Sequence, residues 1–246
     1  MWKKIGIGIL LLLILIAGAG YYLFSHLDSL IEAAIEKYGS EATQTSVQVG
    51  GVSLSLTSGS GSISNLTVAN PPGYSGTSAL SLGSIAMQLD TGSLPGNGPI
   101  VIDEVAITQP QITYEVRGLD RGSNLVALQD NIQSFTSSGG TAQPPTQSGP
   151  PARKEIIRDL TITGGLVSVR AELLNGRGLT VPLPPIHLIN LGGEGGATPA
   201  QIGVQVLSTM TRAAARTGEA ALRSRLDDLG AVPSKAGGLL HGLFGT

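Results

Sequence analysis

A thirteen-residue pattern that occurs twice constrains this fold more than any other feature of the chain. Ile102-Asp103-Glu104-Val105-Ala106-Ile107-Thr108-Gln109-Pro110-Gln111-Ile112-Thr113-Tyr114 matches Ile157-Arg158-Asp159-Leu160-Thr161-Ile162-Thr163-Gly164-Gly165-Leu166-Val167-Ser168-Val169 at five apolar positions, with a constant offset of 55 and no gap. A shorter third copy is Ile63-Ser64-Asn65-Leu66-Thr67-Val68. Apolar and polar residues alternate within each copy, the pattern of a strand buried on one face. A polar pair after each isoleucine then restarts the alternation in the opposite parity, as a β-bulge does. In the two long copies Gln109-Pro110 or Gly164-Gly165 separates two alternating runs. Each copy is therefore expected to be a β-hairpin reached through a bulge. An ungapped match argues for a structural repeat over a chance likeness between amphipathic segments.

The same period of two governs much of the chain between 45 and 191. Val47 and Val49, then Val52, Leu54 and Leu56, change parity at Gly50-Gly51; Leu80 and Leu82, then Ile85, Met87 and Leu89, change parity at Gly83-Ser84. Pro71-Pro72-Gly73 and Pro95-Gly96-Asn97-Gly98-Pro99 read as turns. The segment 181–191 is interrupted by proline and suits an edge strand. With 35 glycines and only 4% aromatic residues, the composition favours short strands over a helical bundle.

Helical spacing occurs in three places. Leu27, Leu30, Ile31, Ala34, Ile35 and Tyr38 form one stripe, with Asp28, Glu32 and Glu36 opposite and Gly39 as the expected stop. Ser123 to Phe135 carries Leu125, Leu128, Ile132 and Phe135 on one face, with Ser123 or Asn124 as N-cap. Thr198-Pro199-Ala200-Gln201 opens a long helix to about 230 by the capping-box and N1-proline rules. Its stripe is Ile202, Val206, Met210, Ala213, Leu222, Leu226 and Leu229, and Arg212, Arg216, Arg223 and Arg225 make its polar face basic. The segment 136–152 has almost no apolar side chain and reads as a loop; 231–246 is a short apolar tail.

Lys3-Lys4 precedes an uncharged run from Ile5 to Phe24. Twenty helical residues reach roughly 30 Å, the thickness of a hydrocarbon core. Ile5, Leu10, Leu15, Tyr21, Tyr22 and Phe24 represent this anchor, with the tyrosines suited to a membrane–water interface. The lysines place the N-terminus in the cytoplasm and the bulk of the chain outside. The alternative is a signal peptide cut at Ala17-Gly18-Ala19; both readings export the remainder. The absence of cysteine in an exported domain points to a bacterial inner membrane and periplasm.

No residue constellation suggests catalysis. His26, His187 and His241 are scattered without metal-ligand spacing, no nucleophile motif is present, and Gly59-Ser60-Gly61 precedes a strand instead of a helix. Asp103-Glu104 and Arg158-Asp159 hold equivalent repeat positions and read as polar strand starts. A net charge of −2 leaves no footprint for nucleic acid. The expectation is a protein with no catalytic residue, metal or cofactor.

The anchor, the amphipathic helix and the recurring Ile-x-(Asn/Asp/Glu)-(Leu/Val)-(Thr/Ala)-(Ile/Val) unit at 63–68, 102–107 and 157–162 resemble the bacterial AsmA-like proteins, relatives of the bridge-type lipid-transfer proteins. The resemblance covers roughly residues 1–170. It implies an inner-membrane anchor, a curved periplasmic sheet with a lipid-sized apolar groove, and a role in envelope lipid homeostasis or assembly. A chain this short could form a complete bridge only by stacking with copies or partners. The fold expected is α+β: one N-terminal transmembrane helix (1–26), an amphipathic helix (27–39), a twisted, mostly antiparallel sheet (45–191) and a C-terminal amphipathic helix (198–230). Ile107, Ile112, Tyr114, Ile162, Val167 and Val169 are the candidates to line a lipid groove, and ordinary core is the competing reading of each. Expected partners are the bilayer, a bound lipid, and other membrane-complex subunits or copies of the chain. The alternative function is that of a structural accessory subunit.

Overall fold

Among the described residues the alternating segments pair into one mixed sheet flanked by three α-helices. The computed structural model describes residues 26–76, 78–116, 122–137, 153–171 and 178–228. The anchor residues Ile5, Leu10, Leu15, Tyr21, Tyr22 and Phe24, the Ala17-Gly18-Ala19 site, nearly all of 136–152 and the 231–246 tail lie outside them. Among the described residues no helix is long and apolar enough to cross a membrane. The elements are α1 (Leu27–Thr43), β1 (Val47–Gln48), β2 (Gly51–Ser55), β3 (Ser60–Ala69), β4 (Ser78–Leu89), β5 (Ile100–Thr108), β6 (Gln111–Val116), α2 (Asn124–Ser137), β7 (Glu155–Thr163), β8 (Leu166–Ala171), β9 (Leu179–Pro182), β10 (Ile186–Leu191) and α3 (Pro199–Asp228).

The repeats are not hairpins. β5 and β6 both run antiparallel to β4, so each follows the other along the same neighbour. β7 and β8 follow β5 and β6 in the same way, in parallel. Each long repeat is thus one strand with a bend. A two-residue type I′ hairpin turn needs positive φ at both central residues. Here Gln109 (φ 54°) and Gly164 (φ 67°) are left-handed, but Pro110 cannot be and Gly165 is not. The chain bends at these points and then continues forward.

The offset of 55 is the register itself. Ile102 pairs with Ile157, Val105 with Leu160, Ile107 with Ile162, Ile112 with Val167 and Tyr114 with Val169. A parallel neighbour requires a long crossover, and the connection from β6 to β7 contains α2. The sheet is therefore mixed: these two pairings are parallel, while the other seven among the described strands are antiparallel.

By the same end-to-end logic β1 and β2 share β3, and β9 and β10 lie along β8 and β7. Six physical strands result, in the order β1β2, β3, β4, β5β6, β7β8, β10β9. A crease crosses all of them at Gly50, Asn65, Gly83, Gln109-Pro110, Gly164-Gly165 and Leu183–Pro185. Gly50 N donates to Ser64 O at 2.9 Å, Gln109 N to Thr163 O at 2.9 Å and Leu183 N to Gly165 O at 2.8 Å, so pairing continues through the bend. Buried positions change parity there, from Val105 and Ile107 to Ile112 and Tyr114, and from Leu160 and Ile162 to Val167 and Val169; all belong to one core. The expected bulge is present as well: Gln88 pairs with Glu104 but Leu89 with Ile102, leaving Asp103 extra.

α1 differs from its expected role. It continues past Gly39 to Thr43 and stops at Gln44, whose φ is 54°. A Cβ on Gly39 would lie 3.2 Å from Val47 Cγ1, so this glycine permits close packing on β1 and does not end the helix. Asp28 and Glu36 do not simply face solvent. Asp28 Oδ1 accepts from Leu54 N at 2.9 Å, Glu36 Oε1 from Val49 N at 3.0 Å and Ser40 Oγ from Val47 N at 2.9 Å. These side chains satisfy backbone donors along the edge of the sheet that would otherwise invite strand addition.

The other helices follow their sequence signals more closely. Ser123 Oγ accepts from Val126 N at 3.3 Å, which makes Ser123 the N-cap and frees Asn124 for the core. In α3 the capping box is complete: Gln201 Oε1 accepts from Thr198 N at 3.0 Å and Thr198 Oγ1 from Gln201 N at 3.3 Å. Ile202, Leu207, Met210 and Ala214 are its buried stripe, with Val206 and Ala213 half-buried beside it. The side chains of Leu222, Arg225, Leu226 and Leu229 lie outside the described residues.

Candidate functional site

The crease divides the inner face of the sheet into two apolar fields. On the side of β2, β5, β7 and β10, cross-strand pairing aligns Val52, Ile63, Ile85, Ile107, Ile162 and Ile186 in one row. The next row is Leu54, Gly61, Met87, Val105, Leu160 and Leu188. Beyond the crease a third row is Val47, Val68, Leu80, Ile112, Val167 and Val181. Neighbouring β-branched side chains in such rows stabilise pairing by roughly 0.2–1 kcal/mol per pair.

The six residues singled out from sequence are gathered on these rows, but they do not line an open groove. Ile107 (5% exposed), Ile112 (2%), Tyr114 (4%), Ile162 (1%), Val167 (0%) and Val169 (0%) are closed core. For Ile112, Tyr114, Val167 and Val169 the cause is tertiary: α2 and α3 lie over β6 and β8, and their Leu125, Leu128, Ile132 and Met210 join the same cluster. Tyr114 records this cover. Burial raises its hydroxyl pKa, a Ser123 hydrogen bond opposes the shift, and the Glu219 charge on α3 adds to it.

Accessible apolar surface is found at the rim of the first field instead. Val52, Leu54, Ile63, Met87 and Leu188 are half-buried. Sequence reasoning placed most of them on alternating strands without singling them out, because alternation says which face a residue takes but not which strands stand side by side.

Polar clusters have structural duties. Asn124 is fully buried; its Nδ2 donates to Asn70 Oδ1 (2.7 Å) and Thr113 O (2.8 Å), and its Oδ1 accepts from Glu115 N (2.9 Å). The buried Glu115 carboxylate accepts from Ser75 N at 3.0 and 2.8 Å and from Ser75 Oγ at 2.6 Å. This network closes the 70–76 loop onto the start of α2. Arg158 pairs with Asp103 at the bulge and approaches Asp90 at 3.8 Å, while His187 Nε2 lies 2.7 Å from Asp159 Oδ2. Both clusters are exposed and worth about 1 kcal/mol or less. His26 is exposed beside the start of α1, and His241 lies outside the described residues. Among the described residues no group of His, Cys, Asp and Glu could hold a metal ion. A concavity of about 300 Å³ lies over Ser60, Ala86, Gln88, Glu104 and Ala106, and one of about 480 Å³ between α2 and α3 over Gln133, Gln201, Val204 and Gln205. Neither holds a nucleophile–base pair or other reactive constellation.

Compared with known proteins, this chain matches no family model and no curated sequence. The AsmA-like pattern at 63–68, 102–107 and 157–162 therefore enters the functional reading only as a pattern of residue types.

Proposed function

We propose that this chain is a non-enzymatic, membrane-anchored protein of the bacterial envelope, whose creased sheet offers an apolar rim to lipid acyl chains in lipid homeostasis or assembly. The single observation that supports this reading most is the continuity of the Val52–Ile186 row across six strands, with its β2–β3 end half-open. A row of aliphatic side chains open at one end suits a hydrocarbon chain, which needs contact area and no hydrogen bonds. The Ile5–Phe24 run supports a single-pass anchor with the domain on the periplasmic side.

The test is photo-crosslinking of the full chain in vesicles containing phosphatidylcholine with a photoreactive acyl chain. Adducts on the 51–55 or 84–89 peptides are expected in addition to those on the anchor. Adducts confined to the first 26 residues would sink the lipid reading.

The accessory-subunit reading draws on a different observation. β9 and β10 form the edge opposite α1, pair on one side only among the described residues, and expose Ile189 at 65%. Pro182, Pro184 and Pro185 remove donors from this edge, which disfavours strand addition along 182–185 and leaves 186–191 as the segment a partner could meet. Migration of the gently extracted protein as a large hetero-complex would favour this reading.

A further inference from the structure

We infer that the sheet stands upright on the bilayer, with the 56–59 turn and the 90–99 loop facing the lipid headgroups; this rests on the anchor reading of Ile5–Phe24. The argument starts from three hydrogen bonds between α1 and the edge strand. Asp28 meets Leu54, Glu36 meets Val49 and Ser40 meets Val47, at 2.9, 3.0 and 2.9 Å. As the helix ascends, the strand positions descend. From 28 to 40 the helix rises about 18 Å, and from 54 to 47 the strand covers about 23 Å. Helix and edge strand are therefore close to antiparallel. The base of α1 stands beside the end of β2.

Phe24, the last residue of the apolar run, precedes Leu27 by three positions. Three residues span at most about 11 Å. Asp28 follows directly and is bonded to Leu54, so the β2–β3 turn is held within a short reach of the bilayer surface. A longer linker would leave the domain free to tumble; this one does not.

The same end of the sheet is built as one surface. Leu89 N donates to Gly59 O at 2.7 Å, joining the 56–59 turn to the start of the 90–99 loop. The Arg153 guanidinium donates to Ser93 O (2.8 Å), Leu94 O (2.7 Å) and Gly98 O (2.9 and 2.7 Å), which pins that loop to the strand beside it. Glu155 N and Ala197 N each donate to the other residue's carbonyl, at 2.8 and 3.0 Å, bringing in the 192–197 turn. Charge at this end is mixed and largely paired, with Lys154, Glu194 and Asp28 exposed, Arg158 shared between Asp103 and Asp90, and Arg153 occupied by carbonyl oxygens. The tether sets the approach, and attraction to anionic lipid is not needed. The opposite end, with Glu41 and the 70–76 loop, stands away from the bilayer by the strand length: Ile100 to Val116 would span about 50 Å if straight.

The orientation gives the half-open rim a purpose. Leu54 and Val52 lie beside the base of α1, so they stand on the side of the rim nearest an acyl chain leaving the leaflet.

The chain has no cysteine, which permits single-site labelling. Thr57→Cys and Asn97→Cys mark the proposed bilayer end; Glu41→Cys and Pro72→Cys mark the far end; all four positions are exposed. Each full-length variant is labelled with a fluorophore and reconstituted in phosphatidylcholine vesicles carrying a headgroup-attached spin-label quencher. Labels at 57 and 97 should lose most of their fluorescence, and labels at 41 and 72 should keep theirs. A chain retained on vesicles through alkaline carbonate but quenched equally at both ends, or preferentially at 41 and 72, overturns the orientation alone. A chain released by carbonate overturns the anchor reading and this inference with it.

Discussion

Gln109 and Gly164 stand side by side on adjacent parallel strands, and both hold a left-handed backbone, at φ 54° and 67°. They are equivalent positions of the repeat, and together they carry the crease across the middle of the sheet. For an L-residue other than glycine this conformation costs roughly 1–2 kcal/mol. Gln109→Gly should therefore stabilise the fold by up to about 1 kcal/mol, and Gly164→Ala should destabilise it by about 1–2 kcal/mol. Urea unfolding of each variant measures both. Equal effects of the two substitutions would contradict the assigned bend.

Asn124 is a strong single test of the polar interior. Its side chain serves Glu115 N, Thr113 O and Asn70 Oδ1 at full burial. Asn124→Leu leaves these groups without that partner in a site closed to water, so a loss of about 2–4 kcal/mol is expected. A loss below about 1 kcal/mol would mean that the network relaxes around the change.

The contact between α1 and the sheet edge predicts a local signature. In Glu36→Ala the Val49 amide loses its acceptor, and its hydrogen exchange should accelerate strongly while Leu128, buried and beyond the first turn of α2, stays protected. Asp28→Ala should act on the Leu54 amide in the same way but cost less, because that bond is exposed. Unchanged exchange at Val49 would show that the helix does not hold the edge.

Burial raises the pKa of Glu155 above its ordinary value of 4.5. Between the unfolded value and the raised folded value, the native protein binds more protons than the unfolded chain. Stability therefore falls as pH rises through that window and is restored as pH drops below it. Glu155→Gln should remove this loss. It should be more stable than the parent at neutral pH, and the difference should close near about pH 4. A parent and variant with parallel stability–pH curves would contradict the shift.

Much of the architecture was legible because alternation and offset are local, countable signals. The five apolar matches at offset 55 marked the two long copies as equivalent, and the parity changes at Gly50-Gly51, Gly83-Ser84, Gln109-Pro110 and Gly164-Gly165 marked where the strands bend; that the copies lie side by side in parallel at that offset emerged only from the strand pairing. What they did not carry was the sign of the chain's direction after each break. Gln109-Pro110 resembles a hairpin turn by residue type, and only the backbone angle after it separates a reversal from a bend. The duty of the acidic side of α1 was illegible for a related reason: periodicity places Asp28 and Glu36 opposite the apolar stripe, and only the strand edge brought beside them supplies the donors they accept from.

By itself the sequence determined which side chains face inward, where the strands break, where α3 starts and that the repeats are equivalent. These follow from periodicity, capping chemistry and the narrow conformational range of proline. Tertiary structure alone decided that Ile112, Tyr114, Val167 and Val169 lie beneath α2 and α3 while Leu54 and Met87 reach a half-open rim. An apolar residue gains the same transfer free energy under a helix as under a lipid chain, so its identity cannot say which of the two will cover it.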